Sequence, residues 1–148
     1  MDTIELARYL IGKTLIHDLS TGRLSGRIVE VEGYPPGDAA GHAFRGKTRS
    51  NQTLFLGRGY CYVYFTYGSS FMVNVTSEEP GIGAGVLLRA LEPLEGIKIM
   101  QRFRKRCVLA ILRVALGASP KPCRSTSDMT VLIYVLGELF GSARQCGA

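Results

Sequence analysis

The sequence predicts a single α+β domain built on a mainly antiparallel sheet. Its 148 residues are the size of one ordinary domain. Runs of strand-forming residues follow one another across short turns, which favours antiparallel pairing, and helical patterns lie before the first run and after the last. No apolar run reaches the ~20 residues of a membrane span, and the N-terminal residues lack a signal-peptide pattern. Because the composition shifts after Arg106, we expect a folded core over residues 1–106 and a tail of uncertain structure over residues 107–148.

The first predicted element is a short amphipathic helix. Asp2 can cap it, and Glu5 stands at the capping-box position three residues later. An apolar stripe at helical spacing follows, made of Leu6, Ala7, Leu10 and Ile11.

Two strands are predicted next, at residues 13–18 and 26–34, joined by a turn at 20–22. Strict alternation in the second strand places Val29 and Val31 on one face. The opposite face then carries Ile28, Glu30, Glu32 and Tyr34.

Residues 37–58 are rich in glycine, basic and small polar residues, which predicts an ordered functional loop. Aromatic and β-branched residues then predict a strand over 60–67, a turn at 68–70 and a returning strand over 71–76. These form an antiparallel hairpin with Tyr67 near its tip.

The last predicted strand is 85–91, and Pro93 is expected to open a helix that contains Ile97 and Met100. Beyond Arg106 the chain is basic and apolar, and no element is assigned to it.

The net charge of +6 comes entirely from residues 101–148, because residues 1–100 contain ten basic and ten acidic side chains. The global charge is therefore a weak argument for a nucleic-acid partner. A local signal lies between Asp38 and Glu78, where no acid occurs; the basic residues there are Arg45, Lys47, Arg49 and Arg58. A solvated basic loop explains that window equally well.

The four cysteines contain no CxxC pair, and the chain has two histidines. Since this spacing is unlike that of a zinc site, we expect reduced, mostly buried thiols and no metal.

Several residues have side chains suited to catalysis. Glu30 and Glu32 share a strand face, which can be a simple exposed polar face, but Glu32 stands where the strand breaks and could act as a general base. Arg89 interrupts an apolar strand and needs a partner, for which Glu32 is the candidate. His42 is either a surface histidine or a contact to a bound molecule.

Two further residues stand out on the hairpin. Asn74 interrupts the apolar return strand, and Tyr67 is an aromatic side chain at a tip that is rarely buried. An aromatic residue there could enter a base stack as a wedge.

Six segments together resemble the alkyladenine (3-methyladenine) DNA glycosylase family, in order and in spacing. They are 6–13, 26–34, 38–46, 62–68, 74–75 and 87–93. The resemblance implies a curved antiparallel sheet and a protruding β-hairpin that enters the minor groove of double-stranded DNA. It also implies an enzyme that flips alkylated or deaminated purines out of the duplex and hydrolyses their bond to the sugar, as in base excision repair.

By position in the family pattern, Glu32 corresponds to the carboxylate that activates water, and Arg89 and His42 belong to the same catalytic site. No metal or cofactor is implied. No lysine stands where a lyase reaction would need one, so we expect a monofunctional enzyme.

The resemblance also assigns the remaining contacts. Tyr34, His42 and Tyr64 correspond to aromatic walls around the flipped base, Asn74 to a polar selectivity position, and Tyr67 to the residue that fills the gap in the stack. The basic residues expected to contact the DNA backbone are Arg45, Lys47 and Arg49.

The likeness ends near Arg106, and family members run longer. Two hypotheses follow: a working purine-lesion glycosylase, or an inactive truncated remnant that at most binds DNA. In either case we expect a monomer without membrane association, located in the cytoplasm with the nucleoid, or in the nucleus of a eukaryote.

Overall fold

The structure, a computed structural model, describes residues 1–66 and 70–106. In these ranges five antiparallel strands form one sheet in the order β1-β2-β5-β4-β3, with two α-helices and one short 3-10 helix. The elements are α1 (Thr3–Leu10), β1 (Thr14–Leu19), β2 (Gly22–Tyr34), a 3-10 helix (Gln52–Phe55), β3 (Cys61–Thr66), β4 (Ser70–Thr76), β5 (Gly85–Glu95) and α2 (Ile97–Arg106). The predicted α+β class is confirmed. Tyr67, residues 68–69 of the turn predicted at 68–70, and the tail 107–148 lie outside the described residues.

Helix α1 begins and packs as its sequence predicts. The side chain of Asp2 accepts hydrogen bonds from the backbone N–H groups of Ile4 and Glu5, and Glu5 accepts one from the backbone of Asp2. Leu6 and Leu10 are buried against the sheet, but Ile11 is 44% exposed, because the helix ends at Leu10. The predicted stripe is therefore wrong at its last position.

The core lies between α1 and one face of the sheet. Alternation along the strands decides which side chains join it. The buried cluster comprises Leu6, Ala7, Leu10, Leu15, Ile28, Cys61, Val73, Val75, Val86, Leu88 and Leu91, with Tyr9, Val31 and Val63 packed against it. Their sequence neighbours on β3, β4 and β5 consequently lie on the opposite face.

Two irregularities break the alternation between β2 and β5. The register skips Val29 on one strand and Arg89 on the other, so that Ile28 pairs with Leu91 and Val31 with Leu88. Ile28 and Val31 therefore both contact the core while Val29 is 49% exposed. The prediction that Val29 shares a face with Val31 is wrong, because a bulge shifts the side-chain alternation by one residue.

The prediction that Pro93 opens a helix is also wrong. β5 continues through Pro93, which pairs with Gly26, and α2 begins at Ile97 after Gly96. In the described register β5 pairs with β4 only from Gly85 to Leu87, so Pro93 has one strand partner and its missing N–H is tolerated. No helix in residues 1–66 and 70–106 is long and apolar enough to cross a bilayer.

Candidate active site

A cleft of about 190 Å³ lies on the face of the sheet opposite α1. Alternation on the strands that build the core also builds this cleft. β3, β4 and β5 supply Tyr62, Tyr64, Met72, Asn74, Leu87 and Arg89. The end of β2 and the loop after it supply Glu32, Tyr34, Asp38, His42 and Phe44.

The cleft lies where two strands separate. β4 and β5 are paired at Thr76–Gly85, Val75–Val86 and Asn74–Leu87, and the described pairing stops there although both strands continue. Continuing that register would bring Met72 opposite Arg89, and both line the cleft. The interrupted ladder thus opens the space that the side chains surround.

Glu32 lies at the rim of the cleft, and both of its carboxylate oxygens have partners. Oε2 accepts a 2.6 Å hydrogen bond from the Tyr34 hydroxyl, and Oε1 lies 3.2 Å from Nε of Arg89. The predicted Glu32–Arg89 pair is therefore confirmed as a contact. The Glu32 side chain is 41% exposed, so the carboxylate is oriented by two neighbours yet open to the cleft.

Arg89 reaches Glu32 from a bulge. Residues at bulges can be aimed away from the regular direction of the strand, which suits a polar side chain in an apolar strand. Nε of Arg89 is enclosed and makes no hydrogen bond within the described residues. Its contact with Glu32 is therefore an ion pair in which the N–H does not point at the carboxylate oxygen.

The hydrogen bond to Glu32, together with burial, raises the pKa of the Tyr34 hydroxyl to about 12. The hydroxyl therefore stays protonated, and remains a donor to the carboxylate, at neutral pH.

Three aromatic side chains, His42, Tyr62 and Tyr64, contact one another in the lining of the cleft. The ring centroids of His42 and Tyr64 are 4.0 Å apart, and those of Tyr62 and Tyr64 are 5.3 Å apart in a stacked arrangement. Nδ1 of His42 lies 3.2 Å from the Tyr62 hydroxyl. Burial raises the pKa of that hydroxyl, which keeps it available for this contact.

Asn74 lies on the floor of the cleft beside these rings. It is 5% exposed, and its Nδ2 donates to the backbone oxygen of Tyr62 at 3.5 Å, the long limit for a hydrogen bond. Its amide is therefore weakly engaged and adjoins the space where a ligand would lie.

The structure thus brings together six of the predicted site residues: Glu32, Tyr34, His42, Tyr64, Asn74 and Arg89. Tyr67 lies outside the described residues. Glu30 is exposed and does not line the cleft, which separates it from Glu32.

The basic window divides into two groups. Arg45, Lys47 and Arg49 are exposed, and Arg45 lines an adjoining cavity of about 380 Å³ that shares His42 with the cleft. Arg58 differs, because its guanidinium lies 3.3 Å from Glu79 and donates to the backbone oxygen of Ser77.

Sequence reasoning missed several residues around the cleft. Asp38, Phe44 and Gly83 line it, and a side chain at Gly83 would come within 2.6 Å of Ala43 and Phe55. Asn51 is 6% exposed beneath the loop. In the sequence, Asn51 is only a polar residue before a short helix, and this does not distinguish it from a surface residue. No group of three or more potential metal ligands occurs within the described part of the chain.

The cleft thus combines a half-exposed carboxylate, held by a tyrosine and an arginine, with a group of aromatic rings. The chain belongs to the methylpurine-DNA glycosylase (MPG) family, which it matches over residues 1–119.

Three bacterial relatives, each named "Putative 3-methyladenine DNA glycosylase", illustrate the similarity. The protein of Mesorhizobium japonicum is 65% identical over 103 residues, which cover 70% of this chain and 50% of that protein. The protein of Paraburkholderia phytofirmans is 54% identical over 104 residues, 70% of this chain and 49% of the relative. The protein of Chlorobaculum tepidum is 49% identical over 106 residues, which cover 70% of this chain and 51% of that protein. The chain therefore spans about half the length of the curated relatives it matches.

Proposed function

We propose that this chain is a DNA glycosylase core that excises alkylated purines by hydrolysis. The observation that carries the proposal is the carboxylate of Glu32, which lies at 2.6 Å from the Tyr34 hydroxyl and 3.2 Å from Arg89 at the rim of an aromatic cleft. Membership of the family and the names of the relatives support it.

The size and lining of the cleft suit a single nucleobase. At about 190 Å³ it is smaller than the ~300–1,000 Å³ of most small-molecule sites. Tyr62 and Tyr64 are stacked and His42 lies tilted against Tyr64, so this group offers aromatic surface to a flat ligand. A purine alkylated on a ring nitrogen is cationic, and aromatic walls attract cations.

Glu32 acts as the general base. Each carboxylate oxygen has lone pairs beyond those used by Tyr34 or Arg89, so one can bind a water molecule. That water attacks the sugar C1′ as the bond from C1′ to the purine nitrogen breaks, and the proton of the water passes to Glu32. The bonding electrons leave with the purine, which neutralises a cationic alkylated base. The products are the free base and an abasic sugar.

Arg89 and Tyr34 orient the carboxylate, while His42 and Asn74 contact the base. No lysine lines the described cleft, so the proposed reaction is hydrolysis without a Schiff-base step. Removing the general base should lower the rate by about 10²–10⁴-fold.

The finer assignments extend the proposal along the DNA. The substrate is double-stranded DNA bound by a monomer, with Arg45, Lys47 and Arg49 on the phosphates and Tyr67 in the gap left by the flipped base. Flipping costs a few kcal/mol and is easiest at damaged or mispaired bases. Deaminated purines such as hypoxanthine are included, although they lack the positive charge that assists departure.

Single-turnover excision from duplexes carrying 7-methylguanine or hypoxanthine tests the proposal. Wild type should release the base, Glu32→Gln should not, and Glu30→Gln, a matched change on the same strand outside the cleft, should behave as wild type. Failure of folded, DNA-binding wild-type protein to release either base would overturn the glycosylase assignment and leave DNA binding alone. An equal loss of base release in Glu32→Gln and Glu30→Gln would show that Glu32 is not the general base.

A further inference from the structure

The loop that carries His42 has little regular secondary structure, so its backbone polar groups need other partners. Between β2 and the 3-10 helix the chain forms turns, with backbone contacts such as Gly41 N–H to Asp38 O and Gly46 N–H to Ala43 O. These bonds close single turns but do not tie the turns to one another. A group beneath the loop is needed for that.

Asn51 is that group. Its side-chain Nδ2 donates to the backbone oxygens of His42 at 2.8 Å and Gly46 at 3.0 Å, and its Oδ1 accepts from the backbone N–H of Thr48 at 2.6 Å. Both amide hydrogens and one acceptor site are therefore used, all toward backbone of the loop. The residue is 6% exposed, so water cannot readily replace these bonds.

The bond to His42 has a consequence for the cleft. The backbone oxygen of His42 is fixed by Asn51, while the ring of the same residue lies 4.0 Å from Tyr64 and its Nδ1 3.2 Å from the Tyr62 hydroxyl. Gly83, in the segment between β4 and β5, leaves no room for a side chain against Ala43, the residue after His42, so the loop packs closely on that segment. Asn51 and Gly83 thus determine where the imidazole lies.

We propose that Asn51 is a positioning residue that fixes the His42 ring against Tyr64 for base binding. The catalytic part of this inference rests on the proposed function; the structural part does not. Without Asn51 the carbonyl groups of His42 and Gly46 and the N–H of Thr48 lose their partners, and the His42 ring is released from the aromatic wall.

NMR of the full chain tests the structural part without any need for activity. The chain has two histidines, so the ring protons of His42 can be followed beside those of His17 on β1 as an internal reference. In Asn51→Ala the ring-current displacement that Tyr64 imposes on His42 should be lost, with His17 unchanged. The neighbouring exposed Ser50→Ala should leave both histidines unchanged.

A double-mutant cycle tests the catalytic part. Asn51→Ala should slow single-turnover excision by about tenfold to a hundredfold, because small misplacements of a binding group are costly. In a His42→Ala background the same change should cost less than about twofold further, since the residue through which Asn51 acts is already absent.

Each outcome has a distinct meaning. Unchanged His42 signals in a folded Asn51→Ala protein, or equal losses in both backgrounds, would overturn the proposal. If Asn51→Ala displaces the His42 signals but the wild-type chain releases no base, the structural part of the proposal stands and only the glycosylase assignment fails. If Asn51→Ala does not fold, Asn51→Asp keeps the size and the acceptor for Thr48 but removes both donors, and it should give the same His42 response.

Discussion

Two polar clusters lie on this sheet, and they differ in how far they are closed to solvent. The Thr3 cluster (Thr3, Ser77 and Glu78) joins the start of α1 to the segment after β4. Thr3 Oγ1 lies 2.8 Å from the Ser77 hydroxyl and donates to Glu78 at 2.6 Å. Thr3 is 1% exposed and Ser77 is fully buried.

The Glu32 cluster (Glu32, Tyr34 and Arg89) has bonds of similar length but stays open. Its carboxylate and guanidinium side chains are 41% and 38% exposed. Buried hydroxyl groups that bond one another contribute to stability, whereas an open cluster leaves lone pairs for a water or a substrate. We therefore expect changes in the first cluster to affect stability and changes in the second to affect the proposed reaction.

The largest expected effect is on catalysis, from Arg89→Gln. Loss of the ion pair frees Oε1 of Glu32 and displaces the carboxylate that is proposed as the general base. The rate of single-turnover excision should therefore fall by about a hundredfold. The free energy of unfolding, measured in urea, should change by less than ~1 kcal/mol, because a half-exposed pair contributes little.

Arg27 offers the matched control further along the same strand pair. Its ion pair with Glu92, at 2.9 Å, is 50% and 54% exposed. Arg27→Gln removes the same charge and should leave excision at saturating protein unchanged. Equal losses of excision in Arg89→Gln and Arg27→Gln would mean that excision depends on the total positive charge and not on the position of Arg89 beside Glu32.

Thr3→Val should have the opposite signature. The change keeps the shape but leaves the buried Ser77 hydroxyl without its partner, which should lower the free energy of unfolding by about 1–3 kcal/mol. Excision by the folded protein should be unaffected. Thr21→Val, in the exposed turn between β1 and β2, should change stability by no more than ~0.5 kcal/mol. A loss of excision with intact stability in Thr3→Val would contradict the division of roles.

The smallest effect concerns pH. The pKa of Tyr34 is raised from 10.0 to about 12, chiefly by its hydrogen bond to Glu32, so the folded state holds this proton more tightly than the unfolded state. Its stabilising contribution is fully present below about pH 10 and is lost as the pH rises toward 12. The difference in unfolding free energy between wild type and Tyr34→Phe should therefore stay constant up to about pH 10 and shrink between about pH 10 and about pH 12. A difference that does not change over this range would show that the hydrogen bond is absent.

Much of the site could be predicted from local patterns. Alternation along β3 predicts that Tyr62 and Tyr64 lie on the face opposite Cys61 and Val63, and the regular pairing of β3 with β4 lets that alternation hold. Glu32 is a candidate because it stands just before the residues that end its strand. Arg89 is a candidate because an arginine in an apolar strand needs a partner. The two are in contact, as that reasoning predicted.

The errors occur where a distant partner decides the structure. Pro93 suits the first turn of a helix locally, but pairing with Gly26 keeps it in β5. The alternation in β2 fails at Val29 because the register is shared with β5, whose own irregularity is at Arg89. Arg58 belongs to a basic window in the sequence, yet Glu79, twenty-one residues later, binds it.

By itself the sequence determined the capped first helix, the strand-forming runs, the class of fold and the residue types of a carboxylate–aromatic pocket, since these depend on capping, alternation and chain order within short segments. Only the tertiary structure decided the separation of β4 from β5 that opens the cleft, the two bulges that bring Arg89 to Glu32, and the burial of Asn51 beneath His42. The reason is physical: the register between strands and the partners of buried polar groups are set by residues far apart in the chain, which no local pattern contains.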